Sequence, residues 1–109
     1  GDIHSNWVNE LRVDDRKAEG AVVATEFVGS SISSGGNGTV KATGHEALLA
    51  ENPCIKFHNR ERGYVCCTVT PTTWTSDYMV IDDVLKPGGK VTKRASFVVE
   101  AGDPHAKTA

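Results

Sequence analysis

The stretch YVCCTVTPTTWTSDYMVI, residues 64–81, gives a clear indication of the fold class. Pro71 divides it into two runs, 64–70 and 73–81, that are rich in the β-branched and aromatic residues typical of strands. Because the connection between the runs is only a few residues long, it predicts that the two strands are antiparallel. The sequence therefore predicts an antiparallel strand pair at residues 64–81.

Large aromatic side chains indicate where the core lies. In the second run Trp74, Tyr78 and Val80 are separated by even numbers of residues, so they are expected on one face of the strand. We interpret Trp74 and Tyr78, together with Trp7, as core residues, since aromatic side chains bury much apolar surface.

Further strands and one helix are predicted on both sides of this pair. The predicted strands are 5–13, 21–28, 55–58 and 95–100, and a short helix over 47–51 is entered through 43–46. A polar turn of hairpin type is expected at 59–63, a flexible Gly- and Ser-rich loop at 29–38, and a frayed end at 102–109. The predicted fold class is α+β, with mostly antiparallel β-structure in one domain, residues 1–109. It is either an independent small β domain or half of a larger sandwich, and an uncovered sheet face would promote self-association.

Composition and charge give no support to several classes of function. The chain has 109 residues, 39% of them hydrophobic, and a net charge of −2, which gives no sign of nucleic-acid binding. It contains no apolar run of about 20 residues that could span a membrane, and no signal peptide is recognisable. The three cysteines, Cys54, Cys66 and Cys67, are expected to be free thiols. One of the neighbours Cys66 and Cys67 is expected to be buried, because successive strand residues face opposite ways.

The sharpest chemical signal is the first motif, Gly1-Asp2-Ile3-His4. In an extended chain the side chains of Asp2 and His4 would point the same way, and carboxylate plus imidazole suits transition metals. Gly1 would let the backbone approach a metal closely. Four residues alone are also compatible with an exposed Asp and His at a chain end.

Long blocks elsewhere in the chain add to this motif. They read GDIHSNWVNEL (1–11), VVATEFVGSSISSGG (22–36), ALLAENPCIKFHNRERGYVCCTVTPTTWTSDYMV (47–80) and ASFVVEAGDP (95–104). In this order they resemble the C-terminal part of the alkaline phosphatase D family over nearly the whole chain. The family pattern usually has His at Cys54 and Arg at Cys66, so roles tied to those two positions are not carried over.

The resemblance implies a fold and an activity. The fold is that of a calcineurin-like metallophosphoesterase, a sandwich of two sheets flanked by helices, and the substrates are phosphate monoesters and diesters. The implied cofactors are iron and calcium, or another divalent metal, and the implied location is extracytoplasmic, either periplasmic or secreted. Asp2 matches a metal ligand, and His4 matches a metal ligand or the catalytic residue that orients the metal-bound water.

Two further residues are candidates for the same site. Glu26 resembles a recurring acidic position of the family and would accept a hydrogen bond from a metal-binding histidine; the alternative is a solvent-facing strand residue. Arg62 could contact the phosphate with its forked guanidinium; the alternative is a solvated turn arginine. The serines of 29–38 could donate to phosphate, although a role in structuring the loop is favoured.

The chain lacks the other metal-binding motifs that such a polynuclear site requires. We therefore expect the isolated chain to be inactive and an N-terminal portion of the enzyme to be missing from it. The alternative function is a non-catalytic small β domain or a truncated fragment with no activity of its own.

Overall fold

Two antiparallel sheets and one short helix make up residues 2–109, the part of the chain that the computed structural model describes. The first sheet contains β1 (Asn6–Arg12), β2 (Val22–Val28) and β3 (Ile55–Asn59), and helix α1 (His45–Glu51) precedes β3. The second sheet contains β4 (Arg62–Val69), β5 (Thr73–Ile81), β6 (Val91–Glu100) and β7 (Asp103–Thr108). The predicted class, mostly antiparallel β-structure with one short helix, is confirmed.

The central strand of the three-stranded sheet is β1, and the strand order is β2-β1-β3. A charged turn joins β1 to β2, with backbone hydrogen bonds from Lys17 to Asp14 (3.0 Å) and from Gly20 to Lys17 (3.0 Å). A longer segment leads through α1 to β3, so that β3 pairs with β1 on the side opposite β2. Within residues 2–109 no helix combines the length and the apolar character needed to cross a membrane.

The four-stranded sheet is a meander in the order β4-β5-β6-β7. The predicted pair at 64–81 is its first hairpin, closed by a backbone hydrogen bond from Thr70 to the Thr73 carbonyl (2.8 Å). Val65 lies opposite Tyr78, and Tyr78 lies opposite Ala95, so these three side chains share one face. That face packs against the three-stranded sheet.

The core lies between the two sheets. Val8 of β1, Tyr78 of β5 and Phe97 of β6 form its buried centre, and Phe57 of β3 packs against them. The rings of Phe57 and Tyr78 are 5.1 Å apart, and those of Tyr78 and Phe97 meet edge to face at 6.3 Å. The Tyr78 hydroxyl donates a hydrogen bond of 2.6 Å to the Trp7 carbonyl, which joins the two sheets. Burial raises the pKa of Tyr78 far above its ordinary value, so the hydroxyl keeps its proton.

Two side-chain predictions are wrong. Trp74 is 44% exposed rather than in the core, because it lies at the turn end of β5 and donates its indole N–H to Ser76 (2.9 Å). Cys66 and Cys67 are both exposed, although one was expected to be buried. The physical reason is that they lie on β4, an edge strand with one neighbour. The prediction of free thiols is confirmed.

Two backbone predictions are also wrong. The segment 59–63 is not a hairpin, since β3 and β4 belong to different sheets and the chain crosses between them there. Residues 103–108 do not fray, because they form β7 and pair with β6. A hydrogen bond of 2.6 Å from the Thr25 hydroxyl to the Pro104 carbonyl ties β7 to β2. Small polar residues concealed this strand because it lies at a sheet edge, where one face stays solvated.

A network that we call the polar junction, formed by Asn6, Asn59, Glu61 and Arg94, holds the crossing between the sheets. Asn6 donates to the Asn59 side chain (3.0 Å), and Asn59 donates to the Glu61 carboxylate (2.9 Å). Glu61 in turn accepts two hydrogen bonds from Arg94 of β6, at 2.6 and 3.1 Å. Both asparagines are almost fully buried, so each hydrogen bond also removes the cost of an unpaired buried polar group.

We expect Tyr78→Phe to lower the free energy of unfolding by about 1–2 kcal/mol, because the Trp7 carbonyl loses a donor while the aromatic packing remains. The matched control is Tyr64→Phe, since Tyr64 is 45% exposed. Urea unfolding followed by circular dichroism measures both variants. Equal losses in the two variants would contradict a role for the Tyr78 hydroxyl in joining the sheets.

Acid should weaken the polar junction. Burial raises the pKa of Glu61, and the hydrogen bonds from Arg94 and Asn59 lower it. Together the hydrogen bonds outweigh the burial, so the pKa lies below its ordinary value of 4.5. A carboxyl with a depressed folded pKa stabilises fully above its unfolded pKa, and that contribution disappears as the pH falls through the folded pKa.

Glu61→Gln should therefore lower the free energy of unfolding by about 1–2 kcal/mol at pH 7. It should also make that free energy fall less steeply as the pH drops below 4.5. Glu51→Gln, at an exposed position of α1, is the control. Unfolding free energies measured between pH 7 and pH 3 test this expectation. Parallel pH profiles for Glu61→Gln and the unsubstituted chain would refute it.

Candidate metal-binding segment

Residues 2–5, which lead into β1, adopt an unusual backbone. Asp2 has a φ of 70° and His4 a φ of 51°, and in the described part of the chain these two are the non-glycine residues with positive φ. The left-handed region costs an L-residue roughly 1–2 kcal/mol, although Asp and His tolerate it better than most. Such residues persist where the surroundings hold them, and they cluster at functional sites.

This backbone corrects the geometry expected from the motif. Strand β1 begins at Asn6, so Asp2 and His4 precede it and are not extended. The alternation of side chains along a strand therefore does not decide how the Asp2 and His4 side chains point. Asp2 is exposed and His4 is half-buried. Gly1, the first residue of the motif, lies outside the described residues.

Metal-binding chemistry is present here only in part. Carboxylate and imidazole are suitable donors, the first for calcium or iron and the second for transition metals. Within residues 2–109, however, no group of three or more His, Cys, Asp or Glu side chains comes together in a way that could hold a metal. Asp2 and His4 fit as part of a ligand set and do not complete one with other described side chains.

Arg62, at the start of β4, lies directly behind this segment. It is buried, with 6% of its surface exposed, so the alternative of a solvated turn arginine is wrong. Its Nη1 donates to the carbonyls of His4 (2.8 Å) and Arg60 (3.0 Å), and its Nε donates to the Gly36 carbonyl (2.8 Å). Because the chain crosses between the sheets just before Arg62, the guanidinium points into the protein rather than into solvent.

Two glycines of the glycine-rich loop approach other parts of the chain closely. Gly35 has a φ of +85°, and a Cβ at this position would lie 3.2 Å from Nη2 of Arg62 and 3.4 Å from Nδ1 of His4. At Gly38 a Cβ would lie only 1.5 Å from the Arg60 carbonyl oxygen. These two glycines are required for close approach, so they do more than form a surface connection.

Serines of the loop hold its backbone. The Ser31 hydroxyl donates to the Ser34 carbonyl (2.7 Å), and the Ser30 hydroxyl accepts from Nη1 of Arg62 (3.3 Å). The Ser30 amide donates to Asn6 (2.8 Å), which connects the loop to the polar junction. For Ser30 and Ser31 the structure shows the loop-structuring role that the sequence favoured.

The other acidic candidate lies elsewhere on the sheet. Glu26 is exposed, and its carboxylate accepts a hydrogen bond of 2.9 Å from Asn9, the residue opposite it on β1. Asn9 is five residues along the chain from His4. The structure therefore pairs Glu26 with β1 and does not bring it to the segment that holds Asp2 and His4.

His58, near the same crossing, is structural. It is buried against the Trp7 ring, with 4.0 Å between the ring centroids, and it stacks on His45 at 5.9 Å. Burial lowers the pKa of His58, and the charges of His45 and Arg60 lower it further, so the ring is neutral near pH 7. A neutral imidazole packed on an indole supports β1 and β3 rather than reaching the segment at residues 2–5.

Sequence patterns do not reveal the roles of Asn6, Asn59 and Glu61. Each is an ordinary polar residue next to a strand end, and its role depends on partners up to 55 positions away in the chain. The one available signal was the occurrence of asparagine, a residue disfavoured in strands, at the outer ends of both β1 and β3.

Comparison with known proteins supports one family. The sequence pattern of the PhoD-like phosphatases matches residues 1–78. Alkaline phosphatase D of Bacillus subtilis (strain 168) is 48% identical over 100 residues, which are 92% of this chain and 17% of that protein. A solved structure entitled "Structure of PhoD" superposes over the whole chain with a TM-score of 0.93 and 44% identity, covering 21% of that chain.

The chain thus spans about a fifth or less of the proteins it matches. The family pattern nonetheless covers well over half of its 109 residues, and the resemblance stated from the sequence blocks is confirmed. The chain belongs to the PhoD-like phosphatase family.

Proposed function

We propose that this chain is a segment of a metal-dependent phosphoesterase that hydrolyses phosphate monoesters and diesters, and that Asp2 and His4 supply metal ligands to its active site. Family membership supports the phosphatase activity. The observation that carries the assignment of the site is the left-handed backbone at Asp2 and His4. Strain at two ligand-type residues next to a buried arginine is typical of a functional segment.

Each side chain has a proposed role. The Asp2 carboxylate holds one metal, and the His4 imidazole holds a metal or orients the water that attacks phosphorus. A bound metal would lower the pKa of that water and polarise the phosphoryl oxygens. Calcium and iron are the proposed metals, because a carboxylate suits calcium while carboxylate plus imidazole suits iron.

A phosphate contact by Arg62 would differ from the one first expected. Nε and Nη1 donate to protein acceptors, and Nη2 lies beside the position of a Gly35 Cβ and the His4 ring. A phosphate could therefore contact Arg62 only through Nη2, which excludes a bidentate contact with two guanidinium nitrogens. For Glu26, a hydrogen bond to a metal-binding histidine stays a prediction from the resemblance, since Asn9 is its partner in the structure.

The remaining ligands would come from other parts of the enzyme, with this chain as its C-terminal portion and with an extracytoplasmic location. On its own, the chain fits a non-catalytic β domain. That second candidate is favoured by the lack, among residues 2–109, of any group of three or more metal-binding side chains.

Substitution of the proposed ligands should remove metal and activity together. We expect Asp2→Asn and His4→Ala to lower phosphatase turnover by at least about 100-fold, because each removes a group bound directly to metal. The substitutions are made in a chimeric protein, the Bacillus subtilis relative in which this chain replaces the matched segment. Elemental analysis and hydrolysis of p-nitrophenyl phosphate and its diester measure the two effects.

His105→Ala, in the exposed part of β7, is the matched control and should leave both quantities unchanged. Full metal content and turnover in His4→Ala would exclude His4 from the site.

The chain alone should be inert. Purified residues 1–109, supplied with iron and calcium, should show no turnover of either ester above the rate without protein, because the described residues do not form a complete ligand set. Turnover that depends on His4 in the isolated chain would contradict the proposal.

A further inference from the structure

We propose that Arg62 is a positioning residue for His4, because its guanidinium holds the His4 backbone and the glycine-rich loop in the arrangement that presents the imidazole. The structural part of this inference stands on the geometry of the chain alone. Its consequence for metal affinity rests on the proposed function.

Four acceptors from separate parts of the chain converge on this one guanidinium. They are the carbonyls of His4, Gly36 and Arg60 and the hydroxyl of Ser30. One rigid planar group therefore fixes residue 4, the loop and the crossing between the sheets at the same time. Removing it would leave three carbonyls in a buried place without this donor.

The His4 carbonyl is the important acceptor. Its residue has a φ of 51°, a conformation that L-residues adopt when their surroundings compensate for the strain. The hydrogen bond of 2.8 Å from Nη1 of Arg62 is a compensating contact of this kind. On the other side, Gly35 brings the loop close to both Nη2 of Arg62 and Nδ1 of His4.

The acceptors also explain why arginine is needed. All four are neutral, so the buried charge is stabilised by carbonyl and hydroxyl dipoles. Three acceptors share the two N–H groups of Nη1, whereas the Gly36 carbonyl accepts from Nε, a separate nitrogen. A lysine ammonium has one nitrogen and cannot contact the Nη1 acceptors and the Gly36 carbonyl together. Arg62→Lys would keep the charge and lose one of these two sets of contacts.

The first test is made on the 109-residue chain by NMR. In Arg62→Lys we expect His4 to lose the HN–Hα coupling and the amide shift of its left-handed backbone, and the amide of Gly36 to shift. Arg60→Lys is the control, since Arg60 is exposed and contributes its carbonyl rather than its side chain. Unchanged core signals from Tyr78 and Phe97 show that each variant is folded.

Gly35→Ala is a second variant, which disturbs the same contact from the loop side. It should also shift the His4 signals, because its Cβ would lie 3.2 Å from Nη2 of Arg62 and 3.4 Å from Nδ1 of His4. His4 signals that stay at their original positions in folded Arg62→Lys or, where that variant does not fold, in folded Gly35→Ala would overturn the proposal.

The second test is made in the Bacillus subtilis relative that carries this chain. Arg62→Lys should weaken binding of iron or calcium by about 10- to 100-fold, the usual effect of losing a group that orients a ligand. Tyr78→Phe, which destabilises the fold without touching His4, should not weaken it. A metal affinity in Arg62→Lys equal to that with arginine, alongside the loss seen in His4→Ala, would overturn the positioning role.

If His4→Ala itself leaves metal binding intact, the proposed function fails, and the NMR comparison still decides whether Arg62 holds His4.

Discussion

The chain passes from one sheet to the other through two residues, Arg60 and Glu61, and the packing of both sheets depends on how this crossing is held. Parallel or antiparallel neighbours within a sheet hold each other through the backbone ladder, but a crossing has no ladder. Here the Arg60 amide donates to the Thr39 carbonyl, and side chains bind the next groups along the chain. The Arg60 carbonyl accepts from Nη1 of Arg62, and the Glu61 amide donates to the Asn59 side chain.

The candidate site is a consequence of this crossing. Because β4 begins immediately after it, Arg62 is buried between residue 4, the glycine-rich loop and its own turn. The same buried network that joins the sheets therefore also holds the unusual backbone of the segment before β1. The strain at His4 is compensated by a hydrogen bond from this buried arginine.

Local patterns predicted much of the fold. The strand at 73–81 was placed at its observed bounds, and the pair at 64–81 is antiparallel as expected, because composition and a proline at the turn carry that information locally. Three errors have non-local causes. The segment 59–63 resembles a hairpin turn in composition but connects two sheets, β7 is a polar edge strand, and Trp74 at the turn end of β5 is 44% exposed. Which strands pair is a tertiary property that spacing does not encode.

The sequence supplies candidates for the site and not their geometry. The resemblance points to Asp2 and His4, and guanidinium chemistry points to Arg62, but the left-handed backbone and the buried arginine depend on contacts across 58 positions of the chain. Whether Asp2 and His4 hold metal is measured most directly by an anomalous-scattering map, at the iron edge, of a crystal of the Bacillus subtilis relative in which this chain replaces the matched segment. We expect a metal peak at bonding distance from an Asp2 carboxylate oxygen or a His4 ring nitrogen, with Arg62 still donating to the His4 carbonyl. A bound metal with both side chains outside its coordination sphere would contradict it.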